Sequence, residues 1–149
     1  MKIHFIYGTE SGNAQYLCDD FKDATPENFE CEISEMNNVD ATNLDGDTFY
    51  VIVSATFGTG DVPSTAEDFY DDLLEEKPDL SHIKFAVFGL GDESFGETFA
   101  QGSQKLMEAM LDCKAHMIGE RGIHDASGSL PPEVAGLPWW EGILAKITA

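Results

Sequence analysis

The sequence predicts a doubly wound α/β domain built on a parallel sheet, and three observations carry that reading. Short, mostly apolar runs recur at residues 2–7, 49–54 and 83–88, as expected of strands buried on both faces of a parallel sheet. Between such runs lie stretches whose apolar residues repeat at i, i+3, i+4 and i+7, the spacing of a helix with one buried face. Strands and helices alternate through all 149 residues with no linker, internal repeat or second block, so a single domain is expected over 1–149.

Residues 2–7 form the first strand, central because nearly every position is apolar. Ala14, Leu17, Cys18 and Phe21 mark the buried face of a helix over 13–23. That helix stops ahead of Thr25-Pro26, since proline disfavours helical geometry in the residue before it. In 29–36, Phe29, Cys31 and Ile33 alternate with Glu30, Glu32 and Ser34, the pattern of a half-exposed edge strand. Residues 37–47 are largely polar around Leu44 and support one helical turn at most. Residues 49–54 are a further apolar strand, followed by a glycine-rich loop over 55–63. Ser64 and Glu67 make a capping box for a helix starting near Thr65. It turns Ala66, Phe69, Tyr70, Leu73 and Leu74 inward and ends before Lys77-Pro78. A fourth strand over 83–88 leads to a loop over 89–96 and a helix over 98–112, in which Leu106, Met107, Met110 and Leu111 are apolar. A short fifth strand over 115–119, a loop over 125–132 and a last helix over 132–147 complete the chain. Trp139, Trp140, Ile143, Leu144 and Ile147 are available to pack that helix on the sheet, with the two tryptophans read as core and boundary.

Charge narrows the possible partners. Eight basic residues against 28 acidic ones give a formal charge of −20, which repels nucleic acid and anionic membranes and favours basic proteins. No apolar stretch approaches the ~20 residues of a membrane span, and the N-terminus enters a strand without a signal-like segment. Cys18, Cys31 and Cys113 lack CxxC spacing, and His4, His82, His116 and His124 lack ligand spacing, so neither disulfide framework nor metal site is expected. Cys18 falls on the apolar helix face and is read as packed. These features point to a cytoplasmic, reduced, monomeric protein.

Chemistry concentrates in three loops. In a doubly wound sheet the strand ends lie on one edge, where ligands bind at the switch point. The first loop, Gly8-Thr9-Glu10-Ser11-Gly12-Asn13-Ala14, joins strand to helix and offers Thr9, Ser11 and Asn13 as donors beside a positive helix terminus. It contains no lysine or arginine, so a phosphate would be held there by dipoles and neutral donors. By itself the loop is equally an ordinary turn with a serine N-cap. The other two loops carry Phe57 and Phe95 among Gly58, Gly60, Gly89, Gly91 and Gly96. Two loop-tip phenylalanines flanking one crevice suit a planar ligand, and the glycines allow close backbone approach. A phosphate socket beside an aromatic sandwich describes a mononucleotide with a flat ring.

On GTESGNA, ATFGTGD and GLGDESF, in that order, the chain resembles the flavodoxin family over essentially its full length. The resemblance implies a five-stranded parallel sheet of order 2-1-3-4-5 in three layers, with FMN at the switch point. The length matches short-chain members. The ending GERGIHDASGSLPPEVAGLPWWEGIL is similar to the MioC-type subgroup and to the FMN domains of diflavin reductases. The resemblance implies that Thr9, Glu10 (through its N–H), Ser11, Gly12, Asn13 and Ala14 hold the phosphate. It implies that Phe57 and Phe95 stack on the ring, and that the Gly58 peptide can turn its carbonyl toward N5 on reduction. Thr56, Thr59, Gly60, Gly89, Gly91, Asp92 and Phe99 would line ring and ribitol. Ala14 stands where many members have threonine, Phe57 where tryptophan or tyrosine is usual, and Phe95 where tyrosine is usual. The segment from Phe95 to Phe99 is one residue longer than the common form. These departures bear on FMN affinity and potential.

The function this implies is electron carriage, which needs a held cofactor with an exposed edge and no acid–base dyad. An acidic surface penalises the anionic, fully reduced flavin, so a low potential is expected for the second electron. Between Asp61 and Asp79 there are eight acids against one base, Lys77. Asp68, Asp71, Asp72, Glu75 and Glu76 among them are read either as a solvated helix face or, beside the Phe57 loop, as a docking surface for a basic partner such as a flavodoxin reductase. Two rivals fail on motif. A P-loop needs GxxxxGK[ST], and a phospho-accepting receiver needs an aspartate closing the third strand, where Ser54-Ala55 stands. A small NAD(P)H-dependent FMN reductase and a flavin-free interaction module share the fold and rank behind the carrier.

Overall fold

The computed structural model describes residues 2–8, 13–54, 64–91, 101–125 and 132–148. Along the chain it contains β1 (Lys2–Gly8), α1 (Asn13–Asp23), β2 (Glu30–Glu35), a 3-10 turn (Met36–Asn38) and β3 (Thr48–Ser54). A second 3-10 turn (Ser64–Ala66), α2 (Glu67–Glu76), β4 (Lys84–Gly91), α3 (Gln101–Asp112), β5 (His116–Met117), β6 (Gly122–Asp125) and α4 (Pro132–Ile147) follow. All strand pairs are parallel, and the order is β2-β1-β3-β4-β5, as expected.

Three layers follow from the period of two in the strands. Tyr50 and Ile52 of β3 face one core with Ile6, Phe69, Leu73, Phe85, Leu106 and Met110, under α2 and α3. Phe49, Val51 and Val53 face the other with Phe5, Leu17, Phe21, Phe88, Trp140 and Ile143, under α1 and α4. Every residue of β3 is buried, which is why that segment reads as an uninterrupted apolar run. On the edge, β2 alternates exposed and half-buried positions at its start, with Cys31 and Ile33 against the α1/α4 core. Trp140 is fully buried, its ring 5.2 Å from Phe5 and 5.9 Å from Phe21. The half-buried Trp139 lies at the margin of the same core, and Cys18 is wholly buried.

Four expectations need correction. The fifth position of the sheet holds two short strands rather than one. β5 pairs with Lys84 and Phe85, whereas β6 pairs with Phe88 to Gly91. The chain turns between them at Gly119, whose φ of +73° favours glycine. Secondly, β4 runs on to Gly91, so Gly89, Leu90 and Gly91 belong to a strand and not to a loop. Glycine is a poor strand former, but β6 supplies the partner that keeps these residues paired. Thirdly, α2 proper begins at Glu67 after the 3-10 turn, and Ala66, its N-cap, makes no side-chain cap bond. The Asp68 N–H instead donates to Asn37 Oδ1 at 3.1 Å, a cap contributed by another element. Finally, Leu74 is 45% exposed, because Leu73 beside it takes the inward position.

Candidate functional site

The central strands end side by side on one edge. Gly8 closes β1 and pairs with Ser54, which closes β3 and pairs in turn with Gly89 of β4. β1 leads to β2 on one flank while β3 lies on the other, so the switch point falls between β1 and β3. The chain segments 9–12, 55–63 and 92–100 leave from these adjoining strands. The strands that precede the expected ligand-bearing segments thus run side by side to one edge.

Most of the residues expected to touch a ligand fall outside the described residues: Thr9, Glu10, Ser11, Gly12, Thr56, Phe57, Gly58, Thr59, Gly60, Asp92, Phe95 and Phe99. Four are placed. Asn13 opens α1, and Ala14 is wholly buried in the α1/α4 core. Gly89 lies inside β4, and Gly91 is its last residue, paired with Asp125. Gly89 also has a packing reason to be glycine, since an added Cβ would lie 2.8 Å from Ser103 Cβ on α3.

These surroundings fit a phosphate-bearing planar cofactor. Four residues separate the end of β1 from the amino end of α1 at the switch point, and the first turn of α1 carries no acid to oppose an incoming anion. Gly8 and Ser54, both buried, put no bulky side chain at the carboxyl ends of β1 and β3. On β6, His124 pairs with Leu90 and is 8% exposed, so the structure brings an imidazole to the same edge. Sequence reading assigned it no role, since the strand that carries it was not foreseen.

The acidic face of α2 is more concave than its periodicity implied. Asp68, Asp71, Asp72 and Glu75 join Asp40, Asn37 and Val39 around an open groove of about 620 Å³ between α2 and the 37–40 segment. Glu76 does not line it. Hydrogen bonds from the Thr42 hydroxyl and N–H hold the Asp40 carboxyl below its usual pKa, so the groove keeps that negative charge.

Among the described residues no three His, Cys, Asp or Glu side chains are arranged to hold a metal ion. No helix among them is long and apolar enough to cross a membrane. Cys18, Cys31 and Cys113 are free thiols, and burial pushes the Cys18 thiol far up, away from the reactive thiolate.

A family model for flavodoxin matches residues 5–134. NADPH-dependent diflavin oxidoreductase 1 of Emericella nidulans is 34% identical over 141 residues, covering 92% of this chain and 21% of that protein. The chain therefore spans about a fifth of that relative's length. Protein MioC of Escherichia coli (strain K12) is 29% identical over 119 residues, covering 79% of each chain. Among solved structures, oxidised Flavodoxin 1 of Bacillus cereus superposes with a TM-score of 0.81 at 23% identity, covering 97% of this chain and 98% of that one. With the sheet order and a family match over most of its length, the chain belongs to the flavodoxin family of FMN-binding electron-transfer proteins.

Proposed function

We propose that the chain is a carrier of single electrons that holds FMN at the β1/β3 switch point and receives and delivers electrons through basic protein partners. The observation that carries this reading is the match to the flavodoxin family over residues 5–134, on a sheet whose strands β1, β3 and β4 pair side by side at Gly8, Ser54 and Gly89. FMN supplies one- and two-electron redox chemistry when bound, and the protein's part is to hold, orient and tune it. Thr9, Glu10, Ser11, Gly12, Asn13 and Ala14 bind the phosphate with neutral donors and the α1 dipole. Phe57 and Phe95 cover the two ring faces, and Gly58, without a Cβ, leaves its peptide free to turn toward the ring. Thr56, Thr59, Gly60, Gly89, Gly91, Asp92 and Phe99 line ring and ribitol. The groove bearing Asp68, Asp71, Asp72 and Glu75, with Glu76 beyond it, steers a basic partner such as a flavodoxin reductase. The protein acts as a cytoplasmic monomer.

A second reading follows from the 21% coverage of the diflavin oxidoreductase: the same domain working inside a longer reductase fed by NADPH. One experiment separates the possibilities. The purified protein is titrated with FMN by fluorescence quenching, then reduced stepwise under potential control. Saturable binding with two separate one-electron steps is expected, the second at low potential. A protein that takes up no FMN overturns the proposal, and rapid reduction of the loaded protein by NADPH alone replaces it with a small NAD(P)H-dependent FMN reductase. Reduction only through an added NADPH-oxidising flavoprotein is expected of a carrier or of a domain within a longer reductase. For the docking face, D71N/D72N/E75Q should slow electron delivery to a basic acceptor protein about tenfold at low salt, the difference fading as salt is raised.

A further inference from the structure

Between β5 and β6 the chain is fastened from two sides. Trp139 Nε1 of α4 donates to the Glu120 carbonyl at 2.9 Å, and a Cβ on Gly122 would lie 2.8 Å from Trp139 Cδ1. From the opposite side, Arg121 Nη1 donates to Ser103 Oγ of α3 at 2.9 Å. Ser103 is fully buried, and it is the side chain that fills the space over Gly89 of β4. Three elements therefore meet at one hydroxyl.

The position of that meeting point gives it consequence. Gly89 stands two residues before β4 ends at Gly91, and Ser103 two residues after α3 begins at Gln101. A contact between them sets the spacing of the carboxyl end of β4 from the amino end of α3, on the edge where β1, β3 and β4 run side by side. A guanidinium donating to a buried hydroxyl is a charge-assisted hydrogen bond, and it holds the acceptor in one rotamer although the arginine itself is only half-buried. Small shifts in the groups around a bound ring change affinity and potential, because those groups are worth most when already in place.

We propose that Arg121 is a positioning residue of the flavin site: through Ser103 it holds α3 against Gly89, and so sets where the end of β4 stands beside the ring. This rests on the FMN-binding reading above. The arginine acts through a serine and a glycine on two other elements. Loss of the guanidinium lets α3 move away from Gly89, and FMN must then bind to an edge that is no longer set.

The test compares wild type with R121M, R121K, S103A and R121M/S103A. Each is measured for FMN dissociation constant, for potential when loaded, and for melting of the FMN-free protein. R121M and S103A should each weaken FMN binding about five- to tenfold, the low end of coupling between linked sites. The double variant should lose less than the sum of the two single losses, since both changes remove the Arg121–Ser103 bond. R121K should recover part of the affinity, and the potential of R121M should shift from the wild-type value. Equal dissociation constants and potentials for R121M and wild type overturn the inference, whatever happens to melting, and identify Arg121 as a structural brace only. Additive losses in the double variant overturn it too. If R121M does not fold, S103A and R121K decide by the same criteria. A wild-type protein that takes up no FMN refutes the functional reading together with this one, whereas equal binding by all variants refutes this one alone.

Discussion

His4 stands on β1 with Nε2 2.9 Å from the Ser34 hydroxyl of β2 and its ring 5.7 Å from that of Tyr50 on β3. Burial holds its pKa below the ordinary imidazole value, outweighing the opposing pull of Glu32. A base whose folded pKa is depressed stabilises the fold above its unfolded pKa of about 6.5 and loses that contribution as pH falls through the lower folded value. Unfolding free energy should therefore decline from pH 7.5 towards pH 5, and H4Q should decline less over the same interval. Urea unfolding at a series of pH values checks this, and parallel curves for the two proteins would contradict it. The pair Lys2 Nζ–Glu32 Oε2, 2.9 Å apart on the neighbouring positions, is exposed and adds little. Residue types with a single favoured setting were legible in the sequence: Trp140 and Cys18 read as buried and are buried. His4 gave no such signal, because its neighbours Ser34 and Tyr50 come from two other strands.

At the level of elements, α2 shows how a helix end is set from outside. Its capping bond comes from Asn37, 31 residues away, and its last turn closes on Lys77 at φ 44°, a left-handed position that favours glycine. N37A should cost about 1 kcal/mol, the usual worth of a lost cap. K77G should stabilise by roughly 0.5–1 kcal/mol through relief of backbone strain. Chemical denaturation of the two variants measures both, and opposite signs are expected. The Ser64/Glu67 pattern placed the start of this helix close to its true position but not its cap, since pattern matching sees only neighbours along the chain. The split at β5 and β6 escaped for a related reason. Strands of two and four residues are too short to show a period, and they persist because β4 offers a paired edge to each.

For the molecule as a whole, 28 acids against eight bases make the compact state repel itself. Raising NaCl from 10 mM to 300 mM should stabilise the protein by about 1 kcal/mol, or roughly 3 °C in melting temperature. Calorimetry of the FMN-free protein checks this, and a flat or falling curve would show that local pairing already balances the charge. The same salt should slow encounter with basic partners while it steadies the fold, so stability and delivery rate ought to move in opposite directions.

By itself the sequence determined the alternation of strands and helices, the doubly wound class and the sheet order. Each of these depends on periodicity, glycine placement and connection direction, which are written locally: side-chain direction in a helix or strand follows from the backbone of the same few residues. Only the tertiary structure decided that Gly89 to Gly91 are strand, that two short strands share the fifth position, that Leu74 faces outward, and that Arg121 reaches Ser103 across 18 residues. Those outcomes depend on which distant surface arrives opposite a residue, and no local period encodes that.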